Sequence, residues 1–412
     1  MTPSGTLDVA RLDDPDAMGA LDRTGMLRAL ATAGAQVRRA LTTTEESGVL
    51  RVDPADRPRA VVVAAMGADD LVADTVATLA ARHSPVGVWT AHDLPLPGWV
   101  GALDLVLAVS LSGKAQGPLR LAAEAGRRGA TLISVGAPDS PLAEVTAAAR
   151  GIHVGVQNAG LASRSAAWSM LTPTLLALAA HGVLPVGVRQ LEEVADRLDE
   201  VAETARPGSE SFVSPAKILA TELAGRVPLV LADGPLTGVA ARRAGMMAAR
   251  TGRTPVMCGE LPDAASELIA CLDGPFAAPR AEDGGRDIFA DPDIDGPPAP
   301  EISLLLVRDA DPRRDDPGGV RAAGVDLERS PSAGVQVTPE NAARINLSQG
   351  IADLALRRGA RVHELTPGPG AELVRLAELI AQLDFATTYL ALIHGYDPAI
   401  APAVADLRGL LT

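Results

Sequence analysis

Apolar positions along the chain follow two alternating rhythms. Short, almost uninterrupted apolar runs appear at Ala60–Ala64 and in VGVWTA, LDLVLAVSLSG, ATLISVGA and IHVGV. Between them lie stretches with apolar residues at helical spacing, such as DDLVADTVATLAARH and PLRLAAEAGRRG, the latter ending on a glycine stop. A strand that is apolar on both faces must be covered on both faces, and helices between such strands imply parallel neighbours. Ahead of this block, residues 18–46 place Leu21, Met26, Leu27, Leu30 and Val37 near helical spacing, which predicts one amphipathic helix. After it come two long helical stretches, SRSAAWSMLTPTLLALAAHG and VRQLEEVADRLDEVAETA.

The same alternation then resumes. VPLVLAD, TPVMCGE, EISLLLVRD and RVHELTPG read as strands, and GPLTGVAARRAGMMAARTG, ASELIACLDG and ARINLSQGIADLALRRG as helices. A long helix, AELVRLAELIAQLDFATTYLALIHG, closes the pattern. The predicted architecture is α/β: two doubly wound parallel sheets flanked by helices, with a C-terminal helical tail. The predicted domains are residues 1–190 and 205–412. Residues 277–300, rich in Pro, Gly and Asp, read as a flexible surface loop, and 313–326 as a second polar insertion.

Composition narrows the function classes. Of 412 residues only 2% are aromatic, so the core must be built from Ala, Val and Leu, and a base-stacking surface is excluded. The net charge of −14 argues against a nucleic-acid partner. Two cysteines, Cys258 and Cys271, are too few for a disulfide scaffold or a thiolate metal site. The N-terminal stretch lacks a basic region and an apolar core, and runs such as LLALAA fall well short of the roughly 20 residues of a membrane span. A cytoplasmic protein with no membrane partner, no cofactor and no metal is expected.

Candidate chemistry lies where strands end and helices begin. Ligands of open parallel sheets bind beyond the carboxyl ends of the strands, where backbone N–H groups and a helix dipole favour anions. Two such ends are informative: AAMGADD at 64–70 and SLSGKAQGP at 110–118. In the second, Ser110 and Ser112 offer hydroxyls and Lys114 a positive charge, the equipment for a phosphate ester. The same serines are equally suited to capping the following helix.

The S-x-S-G of Ser110–Gly113, placed after an apolar strand, resembles the phosphate loop of the SIS (sugar isomerase) domain. More of the chain resembles the bifunctional phosphoglucose/phosphomannose isomerases, which carry two such domains. LDRTGMLRALATAGAQVRRAL is similar to their opening helix, and L-A-x-L-I, D-F-A-T-T-Y-L-A and G-Y-D-P in the C-terminal stretch are similar to their tail. The resemblance implies a homodimer and a phosphorylated-sugar ligand. It implies phosphate or sugar contacts from Gly67, Ser110, Ser112, Gly113 and Lys114. Arg164 falls where the family has an arginine after its first domain, and Leu407-Arg408 where it has L-K. The family's reaction moves a proton between C2 and C1 of a hexose 6-phosphate, which needs a carboxylate base and an acid for ring opening.

This chain departs from the family at those two positions. The N-E-N glutamate falls near Ala248 or Ala249, and the H-N-E segment is Leu261–Ala270, leaving Glu267 as the plausible remnant of its acidic residue, with Glu260 and Asp263 also close to that strand end. No histidine lies between His181 and His363. The family's G-M-G-G-S is Ala65–Asp69 here, with carboxylates at Asp69 and Asp70, and its two loop threonines are replaced by Ala115 and Pro118. Expected, therefore, is a sugar-phosphate-binding relative of the isomerases without their catalytic pair. The alternative is an inactive SIS-domain protein with a regulatory or assembly role. A transcription-regulator reading fails for want of a basic helix-turn-helix segment.

Overall fold

A computed structural model describes residues 7–52, 57–66, 70–157, 160–278, 300–309 and 339–410. The chain forms two compact units, one of Arg28–Glu203 and one of Met1–Leu27 with Thr204–Thr412. The sequence division assigned all of the N-terminal stretch to the first domain. In the structure, the residues up to Leu27 group with the second unit.

In the first unit, β1 (Ala60–Ala65), β2 (Gly87–Thr90), β3 (Leu105–Ser110), β4 (Thr131–Gly136) and β5 (Ile152–Gly155) form one sheet. Its order is β2-β1-β3-β4-β5, and every pairing is parallel. All six residues of β3 are buried, as its unbroken apolar run requires. The helices of this unit are α3 (Ala33–Glu46), α4 (Asp70–His83), α5 (Gln116–Arg128), α6 (Pro141–Ala148), α7 (Ala167–Ala180) and α8 (Val188–Thr204). One core layer joins Val62, Val106 and Leu132 of the sheet to Leu121 and Ala125 of α5 and Leu142 of α6. Alanines at these contacts let helix and sheet approach closely without aromatic filling.

The single helix expected over 18–46 is broken. It becomes α1 (Pro15–Leu21), α2 (Met26–Leu30) and α3, preceded by a 3-10 turn at Val9–Asp13. The break has a clear local cause. Gly25 has φ +70°, outside the helical region, and the Asp22 carboxylate accepts the Met26 and Leu27 amides at 2.7 and 2.9 Å, starting a new helix.

In the second unit, β6 (Val227–Ala232), β7 (Met257–Glu260), β8 (Ile302–Val307) and β9 (Arg361–Leu365) form a parallel sheet of order β7-β6-β8-β9. Around it lie α9 (Pro215–Leu223), α10 (Pro235–Met247), α11 (Ala265–Ala270), α12 (Pro339–Arg357), α13 (Glu372–Ile393) and α14 (Pro402–Leu410). Leu229, Leu231, Leu304 and Leu306 pack with Leu268 of α11 and Ile351 and Ala355 of α12. Helix α13 is long and apolar enough to match a membrane span, a length the apolar runs in the sequence did not suggest, but 94% of its apolar window is buried in the unit. Its burial makes it a core helix.

The N-terminal arm is tied to this unit by main-chain carbonyls. The Asp8 amide donates to Ile393 O at 3.1 Å, and buried Lys217 donates to Leu12 O, to Pro207 O at 2.8 Å and to Ser209 O at 2.7 Å. Three acceptors satisfy all three ammonium protons, which is what allows a lysine to be fully buried. The 277–300 loop lies outside the described residues except at its two ends, and the 313–326 insertion lies wholly outside them.

Candidate functional site

The strand order of the first sheet reverses at β1, with β2 on one side and β3 on the other. The crevice beyond β1 and β3 is therefore its topological switch point. Ala65 pairs with Val109, so Met66 and Ser110 open the two flanking loops side by side. Met66 then lies against Gly117 in the first turn of α5, where its sulfur occupies the space a Cβ would need.

The Ser110–Gly113 turn is rigidly built. Ser110 is buried, and its carbonyl accepts the Gly113 amide at 2.8 Å. Gly113 has φ +62°, and a Cβ there would collide with the Ser140 side chain. Ser140 is itself held as the N-cap of α6, donating to Ala137 O at 2.7 Å and accepting from the Ala143 amide at 3.3 Å. The Leu142 amide closes the frame by donating to Gly113 O at 3.1 Å.

Within that frame the two hydroxyls face loop amides. Ser112 Oγ accepts from the Lys114 amide at 3.3 Å, and Ser110 Oγ accepts from the Ala115 amide at 3.4 Å. Both bonds are long, and each hydroxyl keeps its own proton for an incoming oxygen. Ala115 is the N-cap of α5, and no side chain caps this helix. The serines hold the loop and do not cap the helix, which leaves the positive end of α5 open to an anion. Exposed Lys114 adds a cation at the rim.

The other candidates scatter. Arg164 is buried in the turn leading from the carboxyl end of β5 to α7, within the same unit as the serine turn. Gly67 lies outside the described residues, and of Arg408 only the backbone, in α14, is described. Glu267 belongs to the second unit, exposed in the first turn of the short α11.

Of the acidic residues near the end of β7, Glu260 sits in the more telling environment. Half-buried, it has its pKa raised by burial, against the opposing charges of Arg242 and Arg344. Where the sequence resemblance would put the family glutamate, the chain makes a π-helical turn, Ala248–Gly252, in which Ala248 is buried and Ala249 exposed. Neither methyl can move a proton. His394 reaches this turn with Nδ1 3.4 Å from Gly252 O, and burial lowers its pKa. His363 is likewise lowered by burial. Among the described residues no cluster of three or more His, Cys, Asp or Glu could hold a metal ion.

Sequence reasoning passed over a second polar cluster, at the carboxyl ends of β6 and β8. Asp233 is almost buried, accepts from Thr237 Oγ1 at 2.8 Å and from the Asp309 amide at 3.1 Å, and burial pushes its pKa up to about 6. Asp309 in turn is gripped by Arg375 through Nε at 2.7 Å and Nη2 at 3.2 Å. The available signal was the D-G-P-L-T stretch that follows an apolar strand and opens a helix.

Paired switch points on parallel sheets, one carrying a serine-glycine turn, define the SIS-type fold of the phosphosugar isomerases. Solved structures share it. A hypothetical protein of Thermus thermophilus is 15% identical, with TM-score 0.64 over 98% of this chain and 95% of that one. A glucose-6-phosphate isomerase of Chlamydia trachomatis is 13% identical, with TM-score 0.62 over 93% of this chain and 77% of that one. A glucose-6-phosphate isomerase-like protein, also of Thermus thermophilus, is 18% identical, with TM-score 0.50 over 97% and 99%. Residues 212–411 match the model of the bacterial phospho-glucose isomerase C-terminal SIS domain. No curated protein matches the chain by sequence.

Proposed function

We propose that the protein binds a phosphorylated sugar in the crevice beyond β1 and β3. The observation that carries this reading is the Ser110–Gly113 turn at the switch point, clamped by Ser140 and set before the uncapped N-terminus of α5. The phosphate would take hydrogen bonds from the Ser110 and Ser112 hydroxyls and from the first amides of α5. Lys114 and Arg164 would add positive charge.

Binding is separated from isomerisation in this reading. Alanine stands at the position of the proton-moving glutamate, and Glu267 is an exposed carboxylate on a short helix. Loss of both general base and general acid removes several orders of magnitude in rate. A pure binding role, regulatory or in assembly, follows more naturally than turnover. A coupled assay converting glucose 6-phosphate or mannose 6-phosphate to fructose 6-phosphate is expected to show no turnover. Activity above background that disappears in Ser112→Ala would overturn the non-catalytic reading.

Ligand binding is read separately. Sugar 6-phosphates at millimolar concentration should raise the melting temperature of the wild type, and less so that of Ser112→Ala. The absence of any shift in the wild type would reject the binding reading. A homodimer is part of the proposal, and light scattering giving a monomer mass would remove it.

A further inference from the structure

The two sheets carry equivalent positions at their switch points. In the first, Ala65 pairs with Val109, and Met66 and Ser110 follow. In the second, Ala232 pairs with Val307 in the same parallel register, and Asp233 and Arg308 follow. Arg308 thus occupies in the second unit the place that Ser110, first residue of the S-x-S-G turn, holds in the first.

Arg308 is in an unusual state for an arginine. Only 6% of its surface is exposed, yet among the described residues its buried Nε and Nη2 atoms have no hydrogen-bond acceptor. Glu364 Oε1 lies 3.3 Å from Nη2, close enough for charge attraction but without hydrogen-bond geometry, and it is 40% exposed. The Arg308 charge acts on Asp233, but the hydrogen bonds of Asp233 go to Thr237 and the Asp309 amide, and those of the Asp309 carboxylate to Arg375. A buried guanidinium with unmet donors is costly unless an acceptor completes it.

A second arginine converges on the same place. Arg344, from the first turns of α12, sets Nη1 3.3 Å from where a Cβ on Gly234 would stand. Gly234 is the N-cap residue of the 13-residue α10, and no side chain on Gly234 competes for the first amides of that helix. No ion pair to Arg344 within 4 Å is found among the described residues, although its charge acts on the Glu260 carboxylate, which lies beside Gly238 of α10.

We propose that the crevice beyond β6 and β8 is a second oxyanion site, in which Arg308 and Arg344 hold a phosphate group against the N-terminus of α10. Two guanidinium groups present fork-shaped donors suited to a tetrahedral oxyanion, and the helix end adds amides and its dipole. The occupant is a small phosphate compound, either inorganic phosphate or a phosphate ester. The pairing of Asp309 with Arg375 reduces the negative charge such a guest would meet, and at pH 6 Asp233 is about half protonated.

Calorimetric titration of the full-length protein at pH 6 tests this in a Ser112→Ala background, which weakens the first crevice. Inorganic phosphate and glucose 6-phosphate are titrated in parallel. Saturable phosphate binding is expected to persist, and addition of Arg344→Ala should weaken it by about tenfold or more. Arg308→Gln, which keeps the volume and removes the charge, should do the same, with unchanged circular dichroism confirming that it folds. Equal binding of phosphate and glucose 6-phosphate identifies the phosphate group itself as the ligand, and tighter glucose 6-phosphate binding identifies an ester. Either result supports the site. Phosphate binding insensitive to Arg344→Ala and to a folded Arg308→Gln would overturn it, as would no saturable binding in the Ser112→Ala protein. The response of the unsubstituted protein to Ser112→Ala alone judges the first crevice independently.

Discussion

Arg243 of α10 and Asp384 of α13 form a two-pronged buried ion pair, Nε to Oδ1 at 2.9 Å and Nη2 to Oδ2 at 2.8 Å. This pair explains the most family-like stretch of the sequence. In D-F-A-T-T-Y-L-A, Asp384 locks the tail helix to α10, and the Tyr389 hydroxyl donates to Ala205 O. Thr387 and Thr388 turn their hydroxyls back onto Leu383 O and Asp384 O within the helix. The stretch that most clearly marks the resemblance therefore docks a helix.

Breaking that pair from one side should be severe. Asp384→Ala removes both of these carboxylate acceptors from a buried guanidinium, at an expected cost of about 3–5 kcal/mol. Chemical denaturation would read it. A loss below about 1 kcal/mol would mean that the site relaxes or admits water.

Lys217→Met should loosen the N-terminal arm. The substitution keeps the apolar stem but leaves the Leu12, Pro207 and Ser209 carbonyls without their shared donor. The expected loss is about 2–4 kcal/mol, accompanied by faster amide exchange over residues 8–14. Unchanged exchange in that segment would show that the arm is held by other contacts.

Gly113→Ala should damage the anion turn. The residue has φ +62°, and the new methyl would strike Ser140, so strain and clash act together. A destabilisation of about 1–3 kcal/mol is expected, together with loss of any melting-temperature shift by sugar phosphates. Retention of the full ligand shift would place the phosphate elsewhere.

The Asp233 carboxyl gives a signed pH prediction. Its folded pKa is raised to about 6 from 3.8, chiefly by burial. The folded state therefore binds the proton more tightly than the unfolded chain, and this group's contribution to stability is greatest below pH 4 and is lost as pH rises through 6. Asp233→Asn removes the titration while keeping one acceptor oxygen. Relative to the wild type, the variant should gain about 2–3 kcal/mol between pH 4 and pH 8. A difference that does not vary with pH would mean that Asp233 is ionised throughout.

Much of the architecture was legible in the chain itself. Unbroken apolar runs such as Leu105–Ser110 announced buried parallel strands, because a strand without a polar face must be covered on both sides. All nine strands now described coincide with runs read from the sequence. The serine turn was also visible, because a hydroxyl-glycine motif at a strand end is a local feature. What sequence reading could not distinguish was whether those serines cap a helix or frame a loop, since both use the same residues. Their bonds to the Lys114 and Ala115 amides decided that.

The remaining features depend on residues far apart in the chain. Spacing alone could not show that Gly25 and Asp22 divide the opening helix, or that this arm packs with the second unit through Lys217, over 200 positions away. Nor could it show that Asp233 and Arg308 emerge side by side from β6 and β8, distant in the chain but adjacent through strand register. Local sequence determined the elements and the one turn whose chemistry is contiguous. Tertiary pairing decided which charges are buried, which are matched, and which are left with donors to offer.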